Sequence, residues 1–283
     1  MPIVLRPLTL GELLDRAFQL YRSRFGIFVG IAAVAYLPVF VLQTLMLWLP
    51  KAISSGGGTA TGGAAALGAA TGLAAILLIV LRLLGVAAAN SATIIVVSAA
   101  YLEQPITVGE AYRRVSSMLM RVFFIMIGMG MGIGIGTVLL IVPGVILFLM
   151  WALAIPVTVL EDTGFGESLS RSRELTAGHR GRVFAIYLLY FALILALEMG
   201  LAAPLGAFLA IKGGAAAVAA MTPVIGVANA IISFLIESLV TPILSISLSL
   251  MYYDERVRKE AFDIHLMMSA LSENTAGSAA ATA

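Results

Sequence analysis

The sequence predicts an all-α polytopic integral membrane protein: six transmembrane helices with three cytoplasmic interfacial amphipathic helices, a threefold helix-plus-hairpin repeat. Composition is the first observation behind this. The 283 residues are 61% hydrophobic and only 11% charged, where soluble domains carry about 25% charged residues. A mean hydropathy of +1.05 leaves too little polar surface to cover a water-exposed body, so lipid must be the solvent for most of the chain. The second observation is a short pattern that recurs before long apolar stretches. It reads Leu10-Gly11-Glu12 with Arg16, Val108-Gly109-Glu110 with Arg114, and Phe165-Gly166-Glu167 with Arg171, and such recurrence marks a repeated supersecondary unit. Charge placement is the third. Of the 17 Lys and Arg residues, only Lys51 and Lys212 fall opposite the basic side, and only Arg82 falls within a span. The positive-inside rule then puts the basic side and both termini in the cytoplasm.

The elements follow in order. The first interfacial helix, about 9–24, opens with Thr9 and Glu12 spaced as a capping box. Its Leu10, Leu13, Leu14, Ala17, Phe18 and Tyr21 recur at three- and four-residue steps and share one face. A first span, about 25–49, ends at Trp48 and Pro50, with the indole at interfacial depth. The Gly/Ala/Ser/Thr-rich stretch from Ile53 to Thr71 reads as a flexible link before a second span at about 73–100. The second interfacial helix, about 107–121, repeats the apolar stripe with Val108, Tyr112, Val115, Leu119 and Val122. Val122 to Leu160 then contains no ionisable residue, and at 1.5 Å per residue it is nearly twice the length of one crossing. Val142-Pro143-Gly144 near its middle signals a turn, giving spans at about 122–142 and 144–160. A third interfacial helix, about 165–178, carries Phe165, Leu169 and Leu175. Spans at about 183–209 and 224–250 complete a single membrane domain over 1–267, and the Ser/Ala/Thr-rich 268–283 is expected to be a disordered tail. In every repeat helix the Glu precedes Arg by four residues, the favourable order for an ion pair of about 0.2–0.5 kcal/mol.

Two kinds of site are open at this stage. The basic interfacial helices suit anionic membrane lipids as partners, or their Arg residues only fix topology and anchor span ends. Inside the membrane, Arg82, Glu198 and Glu237 fall at similar depth, about 20–25 Å from the cytoplasmic ends of their spans at 1.5 Å per residue. They form a candidate polar cluster with Asn90 below it. Ionisable residues within spans are hypotheses for function, although a satisfied ion pair that sets helix register uses the same residues. Gly128, Gly130, Gly132, Gly134 and Gly136 alternate through one uncharged span. They lack the strand and Lys of a phosphate loop and read as small-xxx-small packing faces.

Catalysis has weak support. His179 and His265 show no ligand spacing, so no metal and no cofactor are expected. The absence of cysteine removes thiol chemistry. Glu161-Asp162 reads as a solvated helix end, with a lipid-enzyme role as the outside alternative. Nucleic-acid binding is not expected, because no soluble basic domain presents a surface for it.

Three passages carry a family resemblance. They are Leu5-Arg6-Pro7-Leu8-Thr9-Leu10-Gly11-Glu12 at the start, Pro143-Gly144 through Val159-Leu160-Glu161 to Glu167-Ser168-Leu169-Ser170-Arg171 in the middle, and Tyr252-Tyr253-Asp254-Glu255-Arg256-Val257-Arg258 near the end. Together they resemble the membrane-domain family of glycerophosphoryl diester phosphodiesterase, found in prokaryotic multi-span proteins. The resemblance implies a prokaryotic cytoplasmic (inner) membrane. In some members the membrane region precedes a soluble phosphodiesterase domain, for which this sequence leaves no room after the motif, so the enzymatic activity is not expected to transfer. Within the end motif, Tyr252, Tyr253, Asp254, Arg256 and Arg258 either cap the last helix or hold lipid phosphate. The expected function is therefore a non-enzymatic scaffold or accessory in envelope or lipid-related processes, with an unknown protein partner. The alternative is a transporter or channel for a small or amphiphilic solute through Arg82, Glu198 and Glu237.

Overall fold

The computed structural model describes residues 8–54, 60–220 and 222–260. Arg6, His265 and the expected tail at 268–283 lie outside these residues, as do the side chains of Lys51 and Lys212. The described residues form ten helices and no strand: α1 (Leu10–Ser23), α2 (Phe25–Ser54), α3 (Ala60–Tyr101), α4 (Val108–Ser116), α5 (Leu119–Leu139), α6 (Ile141–Met150), α7 (Ala154–Glu161), α8 (Phe165–Thr176), α9 (Arg180–Ala220) and α10 (Thr222–Glu260). Six runs are long and apolar enough to cross a membrane: Phe25–Trp48, Gly68–Tyr101, Leu119–Leu139, Ile141–Glu161, Arg180–Leu201 and Val224–Glu260.

Helix α1 forms with its expected capping box, Thr9 and Glu12 each accepting or donating across the first turn. It buries Leu13, Ala17 and Tyr21, the residues its apolar stripe marks. Its path is less expected. The Leu8 N–H donates to Asp254 at one end (2.7 Å) and the Tyr21 hydroxyl donates to the Leu239 carbonyl at the other (2.8 Å). Those acceptors are fifteen residues apart on α10, about 22 Å at helical rise. α1 therefore follows α10, antiparallel to it.

Three features depart from the sequence expectations. Helix α3 begins at Ala60, so much of the stretch taken as flexible is helical; alanine has the highest helix propensity and outweighs the neighbouring glycines. The hairpin after α5 turns at Leu140, which is extended (φ −160°, ψ 137°). Pro143 and Gly144 lie instead in the first turn of α6, where proline's missing N–H is tolerated. A Cβ at Gly144 would stand 2.8 Å from the Thr137 backbone, so this glycine lets α6 fold back directly on α5. The fourth span is itself broken between α6 and α7. Helix α8 fills that break: Ser172 Oγ donates to the Met150 carbonyl (2.8 Å) and accepts from the Leu153 N–H (3.1 Å).

That arrangement also changes the buried face of α8. Ser168, Ser172 and Thr176 are fully buried at four-residue steps beside Leu175, whereas Phe165 is about half exposed. Ser172 and Thr176 satisfy the Met150 carbonyl freed by the break, while the Ser168 hydroxyl donates to the Gly164 carbonyl and accepts from Thr158. The alternating glycines divide similarly. A Cβ at Gly132 would meet Trp151 at 2.7 Å and one at Gly136 would meet Leu147 at 2.9 Å, while Gly130 and Gly134 face open space. Among the described residues, only one of the two expected packing faces is used.

Candidate functional site: a polar seam and a terminal clamp

Two polar constellations stand out from the apolar bundle. The first runs along the contact between α3 and α10. Arg82 pairs with Glu237, the Ser245 hydroxyl donates to Asn90 Oδ1, and Ser98 lies beside Tyr253. The first two pairs are each separated by 155 residues, and the numbering gives the third the same separation. A constant offset means that the two helices run parallel. The middle rung joins two short side chains and so demands the closest backbone approach. Each outer rung contains one long arm, Arg82 or Tyr253, that spans a wider gap.

Helix α10 supplies polar groups at four-residue steps: Glu237, Thr241, Ser245 and Ser249. Such spacing keeps them near one face. Tyr36 of α2 and Tyr190 of α9 both bring their hydroxyls to Thr241, one turn from the ion pair. The Ser249 hydroxyl donates back to the Ser245 carbonyl (2.7 Å), as hydroxyls do within apolar helices. The Arg82 side chain is 52% exposed and the Glu237 side chain 20%. Glu198, in contrast, is exposed and makes no hydrogen bond or ion pair among the described residues. The structure thus brings Arg82, Glu237 and Asn90 into one seam and leaves Glu198 out of it.

The second constellation ties the two ends of the chain together. Asp254 has a fully buried side chain that accepts from the Leu8 N–H, from Arg182 Nη1 (2.6 Å) and from Arg258 Nε (2.9 Å). Both arginines also donate to the Leu8 carbonyl, at 3.0 and 2.6 Å. Next to it Glu255, equally buried, meets His179 Nδ1 (2.9 Å) and Arg182 (3.2 Å). On the other side of α10 the Tyr252 hydroxyl donates to Glu161 (2.7 Å) and accepts from Arg256 (3.1 Å). Arg256 also reaches Glu260. Lys259 donates to the Glu174 and Ala177 carbonyls and so caps the end of α8. Tyr253 stacks obliquely on Tyr101, ring centroids 4.6 Å apart.

The residues of the repeated pattern do three different things. In the first copy Glu12 belongs to the capping box, while Arg16 lies beside Tyr101. Among the described residues, the second copy forms the expected i,i+4 pair, Glu110 with Arg114 at 2.7 Å. In the third, Arg171 bypasses Glu167 and pairs with Glu161, Glu260 and Glu174. A tertiary cluster of carboxylates competes better for that guanidinium than one exposed carboxylate on its own helix. Gly11, Gly109 and Gly166 each have open space where a Cβ would sit. Within α4, the Tyr112 hydroxyl donates to the Ile31 carbonyl (2.6 Å) and docks the helix on α2. Burial pushes that phenol up to about 12, so it stays a donor at neutral pH.

The matching family model is the membrane domain of glycerophosphoryl diester phosphodiesterase, over residues 123–275. That is more than half of the chain. The chain belongs to this family. No curated protein and no solved structure matches it. The match covers Glu198, Glu237, Glu161 and the clamp motif of α10, but α1 to α4 precede it, so Arg82, Asn90 and the first two pattern copies lie outside the matched residues. No group of His, Cys, Asp or Glu among the described residues is arranged to hold a metal ion. Glu161 is engaged by Arg171 and Tyr252, and Asp162 by Arg121.

Sequence reasoning missed Tyr36, Tyr190, Thr241 and Ser245 on the seam, and Leu8, His179, Arg182 and Glu255 in the clamp. The four-residue polar stripe of α10 was a findable signal. The Leu8 contact was not, because a backbone donor carries no mark in the sequence.

Proposed function

We propose that the chain is a non-enzymatic integral membrane protein that serves as a scaffold or accessory in envelope or lipid-related processes. It sits in a prokaryotic cytoplasmic membrane with both termini in the cytoplasm, and its basic end meets anionic lipid there. The observation that carries this is the clamp: the α10 motif residues Tyr252, Asp254, Arg256 and Arg258 bind each other, Leu8 and Glu161 of α7. Groups engaged in this way hold helices in place and are poorly disposed for proton transfer or nucleophilic attack. A purified preparation incubated with bilayer phospholipids tests the point. Lipid turnover that disappears in Glu161→Gln would overturn it; no turnover above the protein-free rate is expected.

A second reading, passage of a small or amphiphilic solute along the seam, is favoured by the half-exposed Arg82 side chain. Because the chain has no cysteine, single cysteines along 78–90 and 233–241 discriminate the two. In sealed vesicles a dry seam protects every position from a membrane-impermeant thiol reagent. Periodic labelling on the face bearing Arg82 and Glu237 would establish a wet path and favour transport.

A further inference from the structure

One feature outside the seam and the clamp has the form of a binding site. A pocket of about 730 Å³ opens where α1 meets the end of α3 and α10, within the size range of small-molecule sites. Arg16, Arg22 and Arg24 line it together with the apolar Leu20, Ala100 and Leu250. Arg24 donates to the Gln104 carbonyl (3.3 Å). Arg16 and Arg22 make no hydrogen bond or ion pair among the described residues, whereas Arg114, Arg121, Arg171, Arg182, Arg256 and Arg258 each reach a carboxylate. Glu103, held at φ 54° just past the end of α3, is the one acidic residue among the described lining residues. Three cations against one anion give these described residues a surplus of two positive charges.

We infer that this pocket holds the phosphate of an anionic amphiphile, with Arg16 and Arg22 as its ligands. The chemistry is that of guanidinium for phosphate, two forked donors lining one cavity. Gln19, Ser23 and Tyr101 add neutral hydrogen-bonding groups on the lining, suited to a headgroup larger than phosphate alone. The apolar side matches the rest of such a ligand. Phe25 and Leu102, next in sequence to lining residues, are 47% and 64% exposed, as a surface in contact with acyl chains would be. A soluble phosphate needs none of this apolar wall, so a lipid headgroup is the favoured source.

The inference rests on the reading that the basic end meets anionic lipid, and the test separates the two. The full chain is reconstituted in phosphatidylcholine vesicles doped with a phosphatidylglycerol carrying a fluorescent chain, and transfer of energy from the protein's tryptophans is titrated. Wild type, R16A/R22A and R113A/R114A are compared, each checked for an unchanged thermal midpoint. R16Q/R22Q replaces the alanine variant if that one unfolds. The pocket predicts a loss of about 30-fold in phosphatidylglycerol preference for the first double variant and a much smaller change for the second. Equal losses in both would overturn the pocket and leave only diffuse surface charge. No preference in wild type would overturn the pocket and the lipid reading together. Inorganic phosphate is the competitor that identifies the source: displacement at millimolar concentration assigns the site to a soluble phosphate, and no displacement assigns it to the lipid headgroup.

Discussion

Replacing Asp254 with Asn tests the clamp at its centre while keeping side-chain size. The native carboxylate is fully buried and holds three donors: the Leu8 N–H, Arg182 and Arg258. The amide can still accept from Leu8, but the two guanidinia lose their shared counter-charge. Breaking a fully buried ion pair costs about 3–5 kcal/mol. Here the arginines are 16% and 27% exposed, and Arg182 retains Glu255, so water and the neighbour recover part of that. The expected loss is about 2–3 kcal/mol, a fall in thermal midpoint of roughly 5–10 °C. Differential scanning fluorimetry in mild detergent, on protein carrying a single cysteine introduced at Leu10, reads both consequences. The midpoint should drop, and thiol reactivity at position 10 should rise because the start of α1 is released from α10. A midpoint within 1 °C of wild type with unchanged reactivity would refute the assignment of Asp254 as the tie between the chain's two ends.

Further outcomes follow from the same geometry. Glu237→Gln removes the seam's ion pair and should lower the thermal midpoint by several degrees, whereas Glu198→Gln should change stability by less than about 0.5 kcal/mol; equal effects would mean that Glu198 shares the cluster after all. Ser245→Ala deletes the middle rung and should cost about 0.6 kcal/mol, the mean for interhelical hydrogen bonds in membranes, measured by controlled denaturation. Gly144→Val sets new atoms against the Thr137 backbone and should abolish the α5–α6 hairpin, while Gly134→Val, facing open space, should fold. Protease protection of the hairpin in the first variant would contradict that packing. Substituting Gly11 with Ala should be neutral or slightly stabilising by helix propensity, read as an unchanged or raised midpoint.

Hydropathy and charge placement were enough for the all-helical class and six crossings, because burial in lipid imposes a length and a composition that no soluble fold shares. Local rules served well where the decisive interaction is local, as in the Thr9–Glu12 capping box. They failed where a tertiary partner outbids a neighbour. Arg171 leaves Glu167 for three carboxylates on α7, α8 and α10, which no one-helix rule anticipates. The Pro143–Gly144 pair misled for a related reason: both residues also suit a helix's first turn, and the deciding factor was the close approach of Thr137. At the candidate seam, the expensive residues Arg82 and Glu237 announced themselves, but equal depth was too coarse to exclude Glu198. Which helix packs beside α3, which depth does not record, decided the matter: α10 with Glu237 lies against α3, whereas α9 with Glu198 packs on α10 and α6.

The clamp also has a consequence in time. Leu8 leaves the ribosome 246 residues ahead of its acceptor Asp254. At translation rates of about 5–20 residues per second, roughly 12–50 s pass between them. Throughout that interval α1 lacks α10 to follow, and Arg182, once made, waits for both of its carboxylates. The fastening closes only when α10 has been made and inserted. A nascent chain that stalls or is cut short before α10 therefore leaves α1 without the contacts at Asp254 and Leu239 that dock it.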